Sequence, residues 1–294
     1  MPSCHETVII SSSGRRPPFI NWLKQCREYV MPLAELNRSQ GFSVRLATTP
    51  QEIELTQRLR YDVFAREMGA QVQTSQPGVE WDAFDAHCEH LFVQEIETGR
   101  VVASTRLLRR AQAERLGQFY SESEFQADFI RALDGEVVEI GRTCVHVDFR
   151  SGGGIMLLWS GIAQLMRAWD IDYLLGCASV ACRDDGQLVQ TLMNGLRDTH
   201  LSPESLRAVP RVPVQPLEGP EVAGAIMPPL LKAYLRLGAW VCGEPSLDRE
   251  FGVADLMVVL DMRCLNHRYF KHFLGRESKA ADAVSSAHDV AHSA

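Results

Sequence analysis

An acidic and a basic side chain lie three residues apart in a segment whose pattern predicts a buried strand. Glu139 and Arg142 fall in the Val- and Ile-rich run 137–145, where charges are costly to bury without a function. Strict alternation places them on opposite faces, whereas a β-bulge at Gly141 brings them to one face. A bulge also frees backbone amides that can stabilise an oxyanion. The pattern therefore predicts a charged catalytic site at these three residues.

A glycine-rich turn follows this strand and opens a long apolar helix. Gly152, Gly153 and Gly154 come directly after Arg150-Ser151. Amides at a glycine-rich helix start can approach an anion closely, and that anion is usually a phosphate. The turn is not a Walker loop, because no Gly-Lys-Ser/Thr follows. The strand, turn and helix together predict a phosphate-bearing substrate brought to a charged site.

Two upstream segments offer residues suited to recognising a charged small molecule. Trp81, Asp82 and Asp85 combine carboxylates with an aromatic ring, a combination that suits an ammonium group. Arg60 and Phe64 are four residues apart on one face of a predicted helix. His87, Cys88 and His90 lack a fourth ligand at metal-site spacing, so no metal is predicted.

The elements that must position these residues follow from hydrophobic periodicity and turn signals. We expect strands at 42–48, 90–96, 100–108, 137–145, 172–179, 239–246 and 254–261, and helices at 50–68, 154–169, 184–198 and 227–239, with a short helical stretch within 117–133. Three consecutive strands followed by a βαβ crossover predict a mixed sheet with helices on both faces. The fold class is therefore α+β (mixed α/β), and not a doubly wound Rossmann sheet.

Composition shifts divide the chain into three predicted parts. Residues 1–41 form an N-terminal appendage with a short amphipathic helix at 19–36, which packs on the domain or, alternatively, binds a membrane surface or a partner. Residues 42–275 form the main domain, with a Pro-rich arm at 200–230. Residues 276–294 are Ala-, Ser-, Asp- and His-rich, which is typical of a disordered tail.

Length and charge exclude several classes of protein. The chain has 294 residues, 46% of them hydrophobic, but no run of about 18 apolar residues that would cross a membrane. A formal charge of −7 argues against general nucleic-acid binding. Eight scattered cysteines without a C-x-x-C pair are typical of reduced thiols in a cytoplasmic protein.

Several motifs resemble known acyltransferases. The Arg150–Gly154 turn is similar to the phosphate-binding loop of the GNAT acyltransferases. Arg60, Phe64, the acidic stretch, Arg106 and the Glu139/Arg142 pair resemble the pattern of acyl-homoserine-lactone synthases, which share a GNAT-like fold. The runs FYSESEF (119–125), EIGRTCVH (139–146) and LLGCAS (174–179) resemble the L-ornithine Nα-acyltransferases of ornithine-lipid synthesis, a likeness that covers about residues 42–273.

The resemblance implies a GNAT-like, mostly antiparallel central sheet flanked by helices, with a C-terminal extension. It implies transfer of a 3-hydroxyacyl group from acyl carrier protein to the α-amine of L-ornithine, giving lyso-ornithine lipid. No cofactor is bound, since phosphopantetheine arrives on the carrier protein. Glu139 would act as the base and amides beside Gly141 as the oxyanion site.

The resemblance also suggests binding roles for the remaining candidates. The phosphopantetheine would contact Arg150 and the three glycines. Arg106, Arg109 and Arg110 would form the face that docks the acidic carrier protein. Asp82 and Asp85 would bind the ammonium groups of the acceptor. Arg60 or Arg142 would bind the acceptor carboxylate.

Two other functions stay open at this point. A signal synthase would make an acyl-homoserine lactone from S-adenosylmethionine with much the same residues. A non-catalytic module that binds acyl carrier protein or a membrane surface would explain the 19–36 helix. It would leave the charges of the 137–145 strand unexplained.

Overall fold

The computed structural model describes residues 35–39, 41–150, 153–182, 186–215, 221–266 and 268. Nine strands of this described part form one sheet, in the order β1–β2–β5–β6–β8–β9–β13–β11, with β12 also paired to β13. Its strands are β1 (Glu35–Ser39), β2 (Phe42–Leu46), β5 (Glu89–Glu95), β6 (Val101–Arg109), β8 (Glu136–Val145), β9 (Ile171–Ala181), β11 (Trp240–Val241), β12 (Ser246–Asp248) and β13 (Val253–Asp261). Short ladders join β3 (Thr74–Gln76) to β4 (Val79–Glu80) and β7 (Phe125–Gln126) to β10 (Val209–Pro210).

Helices cover both faces of this sheet. They are α1 (Pro50–Arg60), α2 (Arg110–Leu116), α3 (Ser121–Glu124), α4 (Phe129–Ala132), α5 (Gly154–Ala168), α6 (Gln187–Thr199) and α7 (Pro229–Leu237). The last three pack on one face, around apolar side chains such as Ile140 and Leu256. Residues of α2 and α4 pack on the other face, with Leu175 and Met257. None of the described helices is long and apolar enough to cross a membrane.

The sheet confirms the predicted fold class. Neighbouring strands run antiparallel throughout, except for the parallel pair β8–β9. The crossover between these two strands passes through α5, as the predicted βαβ unit requires. The structure is therefore a mixed α+β fold with a mostly antiparallel sheet.

The N-terminal edge of the sheet differs from the prediction. Residues 35–39 form β1, which pairs with β2 and buries Leu36, so the sheet already begins at Glu35, ahead of the boundary predicted after residue 41. Pairing along the free edge of β2 outweighs the local helical pattern that extended the predicted helix to residue 36. Most of that predicted helix, and the predicted tail at 276–294, lie outside the described residues.

The predicted 50–68 helix also has a feature that periodicity did not show. It begins as expected, with the Thr49 side chain accepting from the Glu52 amide at 3.2 Å and proline in the first turn. From Tyr61 to Glu67 it continues as a π-helix, in which the Met68 amide donates to the Val63 carbonyl at 3.0 Å. Such segments are rare and occur frequently at functional sites.

Strands β8 and β9 form a fork. They pair only from Glu136–Ile171 to Glu139–Leu175. Beyond this point β8 stays with β6, while β9 stays with β13 as far as Ala181. Gly176 lies where the two strands part, and a Cβ atom there would overlap the carbonyl oxygen of Ile140.

We predict that Gly176→Ala destabilises the protein by about 2–3 kcal/mol, because the added methyl group meets backbone rather than a movable side chain. Gly195→Ala in α6 is the matched control: nothing lies within 4 Å of its Cβ position, and alanine should stabilise the helix by up to about 1 kcal/mol. Urea unfolding measures both changes. Equal free energies of unfolding for the two variants would contradict the tight approach at the fork.

Candidate active site

A β-bulge on β8 lies beside the fork. Gly141 pairs with Arg106 and Cys144 with Ser104, so three residue steps on β8 face two on β6. The extra residue falls at Arg142–Thr143, and Arg142 adopts the left-handed conformation, with φ of 49°. The predicted bulge is confirmed, although the left-handed residue is Arg142 and not the neighbouring glycine.

The bulge turns Arg142 towards the sheet face that bears Glu139. Both residues contact Tyr120: its amide donates to the Glu139 carboxylate, and its ring lies 4.9 Å from the Arg142 guanidinium carbon. Phe251 covers Arg142 as well, with its ring centre 4.6 Å from that carbon. Cation–π contacts at such distances stabilise a partly desolvated guanidinium.

Arg142 belongs to a buried network of three arginines and three carboxylates. Arg60 pairs with Glu80 and with Asp85, at 2.6 Å from Nη1 to Oδ1. Arg106 contacts Asp85 at 3.0 Å, and also Asp82. Arg142 completes the network through Glu80 at 3.3 Å and Asp82 at 3.1 Å. The charges balance, which buried ionic groups require if they are to stay ionised.

The network changes the interpretation of four predicted binding residues. Asp82 and Asp85 are held by arginines, and the Arg60 side chain is 2% exposed. Burial alone would raise the pKa of Asp85, but Arg60 and Arg106 outweigh it and hold that pKa well below its usual range. Arg106 is buried too and is one of the residues that line a cavity, rather than part of an exposed face.

The two other arginines predicted for docking also have partners. Arg109 donates to Glu136 at 2.6 Å and covers the Trp169 ring. Arg110 donates to the carbonyls of Gly135 and Leu133, at 3.1 and 2.7 Å. Arg109 thus links the end of β6 to the start of β8, and Arg110 holds the loop that precedes β8.

Glu139 is buried with both carboxylate oxygens engaged. Oε2 accepts from the Tyr120 amide at 2.6 Å, and Oε1 accepts from the Ser121 amide at 2.7 Å and from the Ser121 hydroxyl. Burial raises the pKa of Glu139, and these hydrogen bonds oppose the increase. The carboxylate thereby fixes the start of α3 and the preceding Tyr120, whose ring covers Arg142.

A cavity of about 410 Å³ opens at the fork, within the range usual for small-molecule sites. Its apolar lining comes partly from α5 and α7, through Ile155, Leu230 and Tyr234. Of the residues predicted to form the site, Phe64 and Gly141 also line the cavity, whereas Glu139 and Trp81 do not. Trp81 is 39% exposed on the surface.

The cavity also has a charged part. Arg142, Ser179, Asp248 and Asp255 line it, on the sheet face opposite α5 and α7. Sequence reasoning missed both aspartates. Glu139 was identified as a carboxylate in an otherwise apolar strand. Asp255 is a carboxylate in the otherwise apolar 253–260 run, and the same signal would have identified it.

The start of α5 lies beside the cavity, because Ile155 in its first turn belongs to the lining. Gly153 caps this helix and Gly154 begins it, while Gly152 lies outside the described residues. A Cβ on Gly154 would come within 3.3 Å of the Phe149 carbonyl. Arg150 lines the cavity and is held by Glu67, at 2.8 Å from Nη2 to Oε2.

Comparison with known proteins shows which class of protein this arrangement is similar to. Residues 59–160, from α1 through the bulge into α5, match the family described as acetyltransferase (GNAT) domain. Among solved structures, a CoA-dependent acyl-homoserine lactone synthase, BjaI, aligns over 80% of this chain and 89% of its own, with 14% identity and a TM-score of 0.49. Residues 59–160 are therefore similar to an acetyltransferase domain of the GNAT class.

Curated relatives narrow the class to a family. The L-ornithine N(alpha)-acyltransferase of Rhodobacter capsulatus is 35% identical over 249 residues, which cover 80% of this chain and 96% of that protein. The protein of the same name from Brucella abortus is 32% identical, over 81% of this chain and 90% of its own. The chain belongs to the L-ornithine N(alpha)-acyltransferase family.

We predict that Arg60→Ala lowers the free energy of unfolding by about 3–5 kcal/mol, because it leaves Glu80 and Asp85 buried without a counter-charge. Arg58→Ala removes an arginine from the same helix, where it pairs with Glu54 at the surface, 48% exposed. That control should cost about 0.3–0.5 kcal/mol. Chemical denaturation compares the two, and similar losses would contradict a stabilising network.

A second prediction concerns the role of Glu139. Glu139→Gln should lower the free energy of unfolding by about 2–3 kcal/mol, because an amide cannot accept all the hydrogen bonds of the carboxylate. The exposed Glu114→Gln is the control and should leave stability unchanged. Full stability of Glu139→Gln with turnover lowered by about 10²-fold or more would instead support Glu139 as a base.

Proposed function

We propose that this protein transfers a 3-hydroxyacyl group from acyl carrier protein to the α-amine of L-ornithine, forming lyso-ornithine lipid. The observation that carries the proposal is the cavity at the fork, which joins an apolar lining to buried charges of both signs. An acyl chain suits the apolar lining, and an amino acid with a second amine suits the buried charges. The names of the relatives support ornithine as the acceptor.

The acceptor would lie in the charged part of the cavity. Arg142 is held by Glu80, Asp82 and the two aromatic rings, and we assign it to the carboxylate of ornithine. Asp82 is itself held by arginines. The proposal therefore places the ammonium groups near Asp248 and Asp255, which line the cavity.

The donor would enter from the start of α5. Amides at Gly153 and Gly154 suit the phosphodiester of phosphopantetheine, because helix N-termini favour anions. Arg150 adds a cation at the same position. The thioester would then extend along the fork towards Gly141, where amides of the bulge would stabilise the oxyanion of the tetrahedral intermediate.

The reaction needs no covalent enzyme intermediate. The neutral α-amine attacks the thioester carbonyl, a C–N bond forms, and the C–S bond breaks as the tetrahedral intermediate collapses. The network contributes by holding Arg142, and so the acceptor, in a fixed position relative to the carbonyl carbon.

The test is an assay of purified protein with 3-hydroxyacyl carrier protein and L-ornithine, followed by mass spectrometry. We expect an Nα-acyl-ornithine and free carrier thiol in equal amounts. Parallel reactions replace ornithine with S-adenosylmethionine or 1,4-diaminobutane, and the carrier protein with acyl-CoA. Preference for S-adenosylmethionine would support a signal synthase, and equal use of 1,4-diaminobutane would contradict a site that binds the carboxylate.

A further inference from the structure

Asp255 is a buried carboxylate that the ion-pair network does not include. It is 3% exposed in β13, whose other residues from Val253 to Leu260 are apolar and buried. Its Oδ1 accepts from the Ser179 hydroxyl at 2.7 Å. Among the described residues no side chain donates to Oδ2, and no arginine, lysine or histidine forms an ion pair with it. Because Asp255 lines the cavity, this carboxylate is accessible to a bound molecule.

Strand register places Asp255 on the face where the acceptor would bind. It pairs with Ser179 of β9, two positions from the pair Met257–Cys177. Met257 belongs to the core under α2 and α4, and Cys177 packs against that core. Side chains two residues apart share a face, so Asp255 lies on the side to which the bulge turns Arg142.

The charged groups around Asp255 are mostly acidic. Asp248 of β12 lines the same cavity, and its Oδ1 accepts from the amides of Glu250 and Phe251, at 2.8 and 3.0 Å. Glu124 of α3 lies behind Ser246, whose hydroxyl is 3.5 Å from its Oε2. Arg142 of β8 is the cation that acts on Asp255, and its ion-pair partners are Glu80 and Asp82.

These surroundings make Asp255 a stronger base than an exposed aspartate. Burial raises its pKa to about 6, with Asp248 adding to the increase and Ser179 and Arg142 opposing it. Burial likewise raises the pKa of Glu124 to about 7, with added repulsion from Asp255 and Asp248. A carboxylate with a pKa just below neutral pH is ionised there, yet accepts a proton readily, which suits a general base.

We propose that Asp255 is the general base that deprotonates the α-ammonium of the acceptor in the cavity, a role that rests on the proposed acyl transfer. The α-ammonium gives one proton to Asp255, and the nitrogen lone pair then forms the C–N bond. As the C–S bond breaks, the electron pair goes to sulfur, which takes the second proton from nitrogen as the amide forms. Asp255 afterwards releases its proton to solvent, so one amide, one thiol and one proton are produced.

The first arm of the test measures turnover against pH for the wild-type protein and Asp255→Asn. Wild-type kcat/KM for ornithine should rise through about pH 6 as Asp255 loses its proton. Asp255→Asn should lack this rise, and its kcat should fall by about 10²- to 10⁴-fold. Its activity should increase only near about pH 8, where α-amines begin to lose their protons in solution. Asp198→Asn, an exposed change on α6, is the matched control and should keep the wild-type profile.

The second arm separates catalysis from folding. Asp255→Asn should unfold at a temperature equal to or above that of the wild type at pH 8, because a neutral amide is less costly to bury. Ser179→Ala removes a hydrogen bond that lowers the pKa of Asp255, so it should move the rise in kcat/KM to higher pH. A purely structural role for Asp255 would leave the position of that rise unchanged.

The outcomes distinguish this inference from the proposed function. Wild-type protein that acylates a different amine, with the pH rise lost in Asp255→Asn, would support the base and overturn ornithine as acceptor. Wild-type activity on ornithine, with Asp255→Asn within threefold of it and the same pH profile, would overturn the base alone. If Asp255→Asn does not fold, an unshifted profile in Ser179→Ala overturns it.

Discussion

The buried network of Arg60, Arg106 and Arg142 with Glu80, Asp82 and Asp85 is the interaction on which the rest of the site depends. Its arginines come from α1, β6 and β8, and its carboxylates come from β4 and from the loop and 3₁₀ turn after β4. The network therefore connects the helical layer to the middle of the sheet. No member can be lost without leaving a partner charge uncompensated at low dielectric. The network therefore holds the guanidinium of Arg142 in a fixed position at the cavity wall.

Two departures from regular geometry let the network and the cavity coexist. The bulge at Arg142–Thr143 changes the side-chain alternation of β8, which moves Arg142 from the α5 face to the network face. The π-helix at Tyr61–Glu67 places Phe64 against the Phe251 ring, at 5.5 Å between ring centres. A regular strand and a regular α-helix at these two segments would direct Arg142 and Phe64 elsewhere. Arg142 would then lose part of its contact with aromatic rings.

The sequence predicted the fold and the location of the site better than the role of each residue. Periodicity and turn signals are local, so β5, β6, α5 and β9 were predicted close to their observed bounds, and the charges in β8 indicated the bulge. Asp82, Asp85 and Arg60 were recognised as important, but their ion pairs join residues 20 or more positions apart, which no local pattern encodes. Asp255 was missed although its strand carries the same signal as β8, a carboxylate among buried apolar residues. The strand Glu35–Ser39 was missed because its formation depends on the edge that β2 offers.

The strand order has a consequence for how the protein is made. β13, near the C-terminal end of the described chain, lies inside the sheet, between β9 and β11. Until the ribosome releases β13, β9 presents a long open edge to other nascent chains. Open strand edges of this kind are prone to aggregation. Asp255 joins the cavity only when β13 pairs with β9, so the pairing that covers this edge also completes the charged lining of the cavity.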